Sequence, residues 1–230
     1  MTLLATLFPL LCWLVYGFGV RLIEMRRPSL SVIMSIQRRR WVANAARRES
    51  PMDAILAGNL MQSVSFLAST AVLLILAVFT GFGQIEGLQA SLAAVSLDAP
   101  YTIAEMQVHL VFMLTLFVLA FFAFTLALRQ FNHFCIMLGA IDHSSMASEE
   151  EIDAIAQLNS LAARNFNNGL RAYYFSIATV AWFAASWLAI LVSLGTVLFL
   201  IHREFFSTAH RIAASATVIA SRRDKAAIHE

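Results

Sequence analysis

The chain is 230 residues long, 60% hydrophobic and only 13% charged, with a mean hydropathy of +0.73. These values fall outside the usual soluble range and leave little chain outside a bilayer, so one membrane domain over residues 1–230 is expected. The net charge of +2 hides an asymmetry: fifteen of the sixteen basic residues are Arg, and eight of those lie between Arg21 and Arg48. Such a patch invites a nucleic-acid reading. Beside an apolar span, however, it points to anionic lipid at the membrane surface, and no nucleic-acid partner is expected.

Leu3 to Val20 is apolar throughout and forms the first predicted span, 3–20, with Pro9 as a kink and Gly17 and Gly19 as close-packing positions. The start, MTLLATLFPLLC, carries no basic residue of the kind that opens a secretory signal. Leu10-Leu11-Cys12 also lacks the small residues of a lipoprotein cleavage site, so an uncleaved helix is expected. Arg21, Arg26 and Arg27 follow the span, which places the N-terminus outside and the arginines in the cytoplasm.

Residues 29–48 form an amphipathic segment. At helical spacing Leu30, Ile33, Met34 and Trp41 share a face, Arg39 points opposite, and Arg40 and Arg47 flank it. Arg38 and Arg48 fall nearer the apolar face and would snorkel. The expected role is an interfacial helix on the cytoplasmic leaflet, with Arg38, Arg39, Arg40, Trp41, Arg47 and Arg48 at the lipid surface.

Ser50 as N-cap, Pro51 at the first helical position and Asp53 at the positive dipole end open the second span, 54–80, which Gly81-Phe82-Gly83 should stop. Asn59, Gln62, Ser63, Phe66 and Ser69 recur at three- and four-residue steps, giving one largely polar face. That stripe reads either as interhelical packing or as the wall of a wet pathway. Ile85, Leu88, Leu92 and Val95 suggest a short surface helix before an Asp98-Ala99-Pro100 turn, and Thr102 with Glu105 makes a capping box.

The third span, 106–128, begins beside Gln107 and His109 and continues past Arg129 as helix to near Asp142. His133, Cys135 and Met137 have the residue types of a metal set, but Cys135 points away from the face the other two share; no metal, haem or other cofactor is expected. His109 reads as a satisfied packing residue. Ser148-Glu149-Glu150-Glu151 is a second capping box and opens a cytoplasmic helix, 148–166, with Ile152, Ile155, Leu158, Ala162 and Phe166 on its buried face. Its acids could pair with the Arg21–Arg48 segment.

An Asn-rich segment then runs into an apolar one. From Leu170 to Ile201 the only charge is Arg171, and these 32 residues would make a helix of ~48 Å, longer than a hydrocarbon core of about 30 Å. Two spans, 170–185 and 187–202, meeting near Ala184-Ala185-Ser186, fit better, although no Gly or Pro marks the turn. Arg203, Arg211, Arg222, Arg223 and Lys225 place the tail, 203–230, in the cytoplasm, and an outside N-terminus then requires an odd number of spans. The expected fold is an all-α integral membrane protein, a bundle of about five transmembrane helices with cytoplasmic interfacial helices, in the inner (plasma) membrane. Four spans with a long bent last helix is the alternative. Arg171 sits at the inner mouth of the fourth span, where it either snorkels or turns to an acid from the same edge, Asp53 or Asp142, with Tyr174 sharing its face one turn on.

The run Gly169-Leu170-Arg171-Ala172-Tyr173-Tyr174-Phe175-Ser176 resembles that of an uncharacterised family of small membrane proteins of bacteria and plants, domain of unknown function 599. The resemblance extends in outline over most of the chain, including Arg47, Arg48 and the order of spans. It implies the membrane topology and directs attention to Arg171, and it carries no activity. Plant relatives have a Gly-Pro break where this chain has Ala184-Ala185-Ser186.

No metalloprotease motif, Gly-rich phosphate loop or intramembrane carboxylate pair is present, so no catalytic residue is assigned. The leading expectation is a structural, interaction or accessory membrane protein, with a homo-oligomer or a membrane protein as partner. The alternative is a channel or small-solute transporter built on the Asn59–Ser69 stripe and Arg171, with Asn59, Gln62, Arg171, Tyr174, Asp142 and Asp53 as the polar site. An enzyme using His133, Asp142 and His143 ranks third.

Overall fold

The computed structural model describes residues 2–48, 50–94, 96–97 and 101–226, with side chains to residue 222. Val95, the Asp98-Ala99-Pro100 turn and the side chains of Arg223 and Lys225 therefore lie outside the described residues. Among the described residues eight helices follow in order: α1 Thr2–Glu24, α2 Leu30–Ala45, α3 Pro51–Gly83, α4 Ile85–Ala93, α5 Ile103–Gly139, α6 Glu149–Trp182, α7 Ser186–Phe205 and α8 Thr208–Ala226. The described residues are 87% helical and contain no strand.

Local signals account for many of these ends. Thr102 and Glu105 form the reciprocal capping box, with Glu105 N donating to Thr102 Oγ1 at 3.2 Å and Thr102 N to Glu105 Oε2 at 2.9 Å. Ser148 Oγ caps α6 by accepting from Glu151 N, and Ser29 caps α2 by accepting from Val32 N. Pro51 opens α3 as expected for the first helical position. The helix continues through the glycines expected to stop it, to Gly83, with Gly81 lying against Leu110 and Leu88.

Among the described residues four stretches are long and apolar enough to cross a membrane: Thr2–Glu24, Pro51–Gly83, Ile103–Gly139 and Ser186–Arg222. The predicted fifth, 170–185, is the second half of α6 and falls short because Asn165, Asn167, Asn168 and Arg171 dilute it. The cytoplasmic helix 148–166 and that span are also not separate elements. They form one 34-residue helix, since Asn residues and a single Gly weaken a helix without ending it. The tail is likewise ordered as α8.

The chain groups into two compact units. The first comprises residues 1–19, 63–126 and 165–198, and the second 20–62, 127–164 and 199–230. The partition follows charge closely. Of all the Lys, Arg, Asp and Glu, the first unit holds only Glu86, Asp98, Glu105 and Arg171.

In the first unit the second half of α6 is central. Gly169, Ala172, Phe175, Ser176, Ala178, Thr179 and Trp182 are buried, and Ile177 and Val180 are its exposed apolar positions. A helix enclosed by others meets protein rather than lipid, so its polarity is tolerated. Its C-terminus explains the turn without Gly or Pro. Val180 O accepts from Phe183 N, and Ala181 O from Ala184 N and Ala185 N. The other two terminal carbonyls are capped from elsewhere: Thr179 O accepts from His109 Nε2 at 2.8 Å, and Trp182 O from the Tyr101 hydroxyl at 3.0 Å. Side chains thus do what a C-terminal Gly does in other helices, satisfying all four last carbonyls.

In the second unit α2 packs along α8. Gln37 Nε2 donates to Thr217 Oγ1, and Arg40 Nη2 reaches Ala220 O. The buried Glu204 accepts from Ser31 N at 3.1 Å, placing a carboxylate at the positive end of α2. His210 Nε2 contacts Pro28 O at 3.0 Å, and the Arg27 guanidinium lies over the Phe206 ring. These contacts hold the start of α2 from the α7–α8 corner.

Candidate functional site

Arg171 is half-buried on α6. Its guanidinium lies 5.1 Å from the centre of the Tyr16 ring and its Nη1 approaches Asn168 Oδ1 at 3.5 Å. Tyr16, buried in α1, in turn packs on Phe175 at 6.5 Å. An aromatic face supplies the partial negative charge that an arginine in an apolar setting needs. The two acids proposed from sequence as its partners are engaged elsewhere. Asp53 binds Trp41 and Arg48, and Asp142 closes an Asx turn on Ser144, whose hydroxyl and amide hold its carboxyl below the usual range. The reason is local: each acid has a donor within a few residues or on the helix packed beside it.

Around Arg171 the resembling run has a packing role. Gly169 lets α6 approach the ring of Phe124, and a Cβ there would stand 2.5 Å from Phe124 Cε1. Tyr173 meets Phe117 and Phe124 edge-on and donates its hydroxyl to Leu67 O at 2.8 Å. Tyr174 is half-buried one turn beyond Arg171.

His109 is fully buried. Donation from Nε2 to Thr179 O requires the proton on Nε2, which leaves Nδ1 to accept from Thr6 Oγ1 at 3.3 Å. Its ring stacks on Trp182 at 4.1 Å, and Tyr101 stacks on the same indole at 4.1 Å. Sequence reasoning singled out His109 but not Trp182, Tyr101 or Thr6. These residues come from separate elements, and no local spacing joins them.

The polar stripe of α3 faces outward. The buried positions of this helix are Asp53, Ala57, Val64, Ala71 and Val78, whereas Asn59, Gln62, Ser63 and Ser69 are exposed. The stripe follows helical spacing as read from sequence, but periodicity alone does not say which face is covered.

The six basic-segment residues have different surroundings. Arg39 pairs with both Glu149 and Asp153, the pairing with the acidic run considered from sequence, and these bonds raise its pKa. Burial, with Arg164 nearby, lowers that of Arg38. Arg40 reaches Ala220 O, and Arg47 is exposed. Trp41 donates its Nε1 to Asp53 Oδ1 at 2.7 Å and packs on Phe134, while Arg48 approaches the same carboxylate oxygen at 3.4 Å. Cys135 lies 3.5 Å from the Met61 sulfur, and the described residues contain no group of three His, Cys, Asp or Glu placed to hold a metal.

No curated protein and no solved structure matches the chain. A family model described as "Protein of unknown function, DUF599" matches residues 4–209. With nearly the whole chain covered, including the Arg171 run and every helix through α7, the protein belongs to this family of unknown function.

Proposed function

We propose that the protein is a structural or accessory component of the inner membrane, acting through helix–helix contacts rather than conducting a solute. The observation that carries this reading is the outward face of α3. Ala57, Val64, Ala71 and Val78 face inward, whereas Gln62 and Ser69 face outward among exposed apolar residues such as Leu60, Phe66 and Leu73. Exposed polar groups such as Gln62 and Ser69 on a membrane helix are satisfied at contacts between helices, so this face suits a second copy or another membrane protein. The interior supports the same reading, because Leu116, Ala120, Phe124, Phe175 and Trp182 are fully buried where a passage would need polar walls.

The charge partition supports an orientation. Every basic residue except Arg171 belongs to the second unit, which the positive-inside rule puts on the cytoplasmic side with the C-terminus. The N-terminus is then outside, and the second half of α6 makes a fifth, enclosed crossing. Single cysteines at Ala90 and Ser215, in a background with Cys12 and Cys135 replaced by Ala, should label from opposite sides of the membrane.

Two experiments test the function. In liposomes the purified protein should leave the leak of small ions and solutes at the protein-free level, with Arg171→Ala indistinguishable. A solute-selective flux abolished by that substitution would overturn the reading. A photo-crosslinking residue at Gln62 or Ser69 should give one discrete adduct in native membranes, whereas the buried positions Val64 and Ala71 should give none.

A further inference from the structure

Within the second unit, α2 and α8 line a groove of about 540 Å³, a size usual for small-ligand sites. Arg40, Trp41 and Asn44 share one face of α2 at helical spacing, and Arg48 joins them from the turn after its end. The facing wall, with Ile219 and Ala220 of α8, is apolar.

The residues expected from sequence at the lipid surface separate here. Arg40, Trp41 and Arg48 line the groove, whereas Arg39 is held by Glu149 and Asp153. Two guanidiniums thus face one space, and no described residue of its walls is acidic. Asp53 meets Arg48 at 3.4 Å, but it is 6% exposed and is not part of the walls, so it offsets one positive charge at most. The Arg48 side chain remains 56% exposed. Arg40 extends across to Ala220 O at 3.4 Å, which brings a guanidinium against the apolar wall. Arginine forks suit phosphate, to which paired N–H groups donate in one plane. The exposed Asn44, four residues from each arginine, adds an amide that both donates and accepts. Across the groove the chemistry runs from the short Asn44 carboxamide on α2, past the Arg40 fork, to hydrocarbon on α8. Phosphatidylglycerol carries matching groups in that order: hydroxyls, phosphate, then glycerol backbone and acyl chains.

We propose that this groove binds an acidic phospholipid of the phosphatidylglycerol type. The phosphate lies between Arg40 and Arg48, the head glycerol hydroxyls meet Asn44, and the hydrocarbon beyond the phosphate lies along Ile219. Each of these side chains is exposed or half-buried, so a ligand can touch it. A soluble phosphate ester would meet the same arginines but leave the apolar wall uncovered. Lipid retention is read in detergent, where neither solute flux nor a partner helix enters, so this inference and the accessory role can fail separately.

The test is native mass spectrometry of delipidated protein with phosphatidylglycerol, phosphatidylethanolamine and phosphatidylcholine of matched chains, with soluble glycerophosphoglycerol as competitor. Phosphatidylglycerol should be retained about tenfold better than either zwitterionic lipid, whose ammonium offsets the phosphate charge. Glycerophosphoglycerol, which has no acyl chains, should compete poorly. Arg40→Gln and Arg48→Gln should each lower phosphatidylglycerol retention to about the zwitterionic level. Arg211→Gln removes the same charge from an exposed position on α8 outside the groove and should change nothing. Asn44→Leu, at an exposed position, fills the space between the arginines without altering charge and should also lower phosphatidylglycerol retention. If either Gln variant of the groove does not elute as folded protein, Asn44→Leu decides. Equal retention of the three lipids, or unchanged retention in Asn44→Leu, overturns the proposal. A loss in Arg211→Gln as large as in Arg40→Gln also overturns it, in favour of diffuse surface charge. Competition by glycerophosphoglycerol as strong as by the lipid overturns the lipid form in favour of a soluble phosphate ester.

Discussion

Replacing Gly169 by Ala probes the packing at the centre of the first unit. The new Cβ would stand 2.5, 2.7 and 2.9 Å from Phe124 Cε1, Cδ1 and Cζ, against about 3.5–4.0 Å for a comfortable carbon contact. The ring must retreat by roughly 1 Å. It has little room, since Phe124 is fully buried with Tyr173 edge-on at 5.2 Å and Phe166 tilted against it at 5.9 Å. Overpacking of this kind costs about 1–3 kcal/mol. Ala is better than Gly inside a helix by about 1 kcal/mol, which offsets part of the cost and would blur a comparison with the parent protein. Gly195→Ala supplies the reference, because Gly195 also lies within a helix and an added Cβ there meets nothing within 4 Å. The propensity gain is common to both variants, so their difference isolates the contact. At about 2–4 °C per kcal/mol for a chain of this size, Gly169→Ala should melt roughly 2–12 °C below Gly195→Ala in detergent thermal denaturation. Adding Phe124→Leu should shrink that gap, since the branched side chain leaves space where the ring stood. Coincident melts for the two Ala variants would refute the packing role of Gly169.

Three further outcomes are expected. Tyr101→Phe keeps the stack on Trp182 but strips the donor from Trp182 O, and should destabilise the protein by about 1–3 kcal/mol in the same assay. A double-mutant cycle of Arg171→Gln with Tyr16→Leu should give a coupling of about 0.5–2 kcal/mol for the cation–π contact, and additive effects would refute it. Arg39→Ala should cost no more than about 1 kcal/mol despite two ion pairs, because Arg39, Glu149 and Asp153 remain 44, 74 and 46% exposed; even that effect should fade in high salt.

Much of the fold was legible because it is written in short-range pattern. The apolar runs, the two capping boxes and the Pro51 helix start each depend on residues a few positions apart. Charge bias is local in the same sense, and the arginines between Arg21 and Arg48 fall wholly in the second unit. The continuity of α6 was not legible. A row of Asn residues before an apolar run looks like a boundary, yet only tertiary enclosure determines whether a polar stretch must leave the helix.

The amino-acid sequence by itself determined that the chain is helical and apolar, where most helices begin, and on which segments its charge is concentrated. The tertiary structure decided the rest of the site. It turned the stripe of α3 outward, set Arg171 on Tyr16, gave Asp53 to Trp41 and Arg48, and capped α6 with Tyr101 and His109. The cap and the Arg171 contact join residues 70 to 155 positions apart in the chain. Partners at such separations leave no trace in periodicity or capping pattern, because they meet only when helices pack.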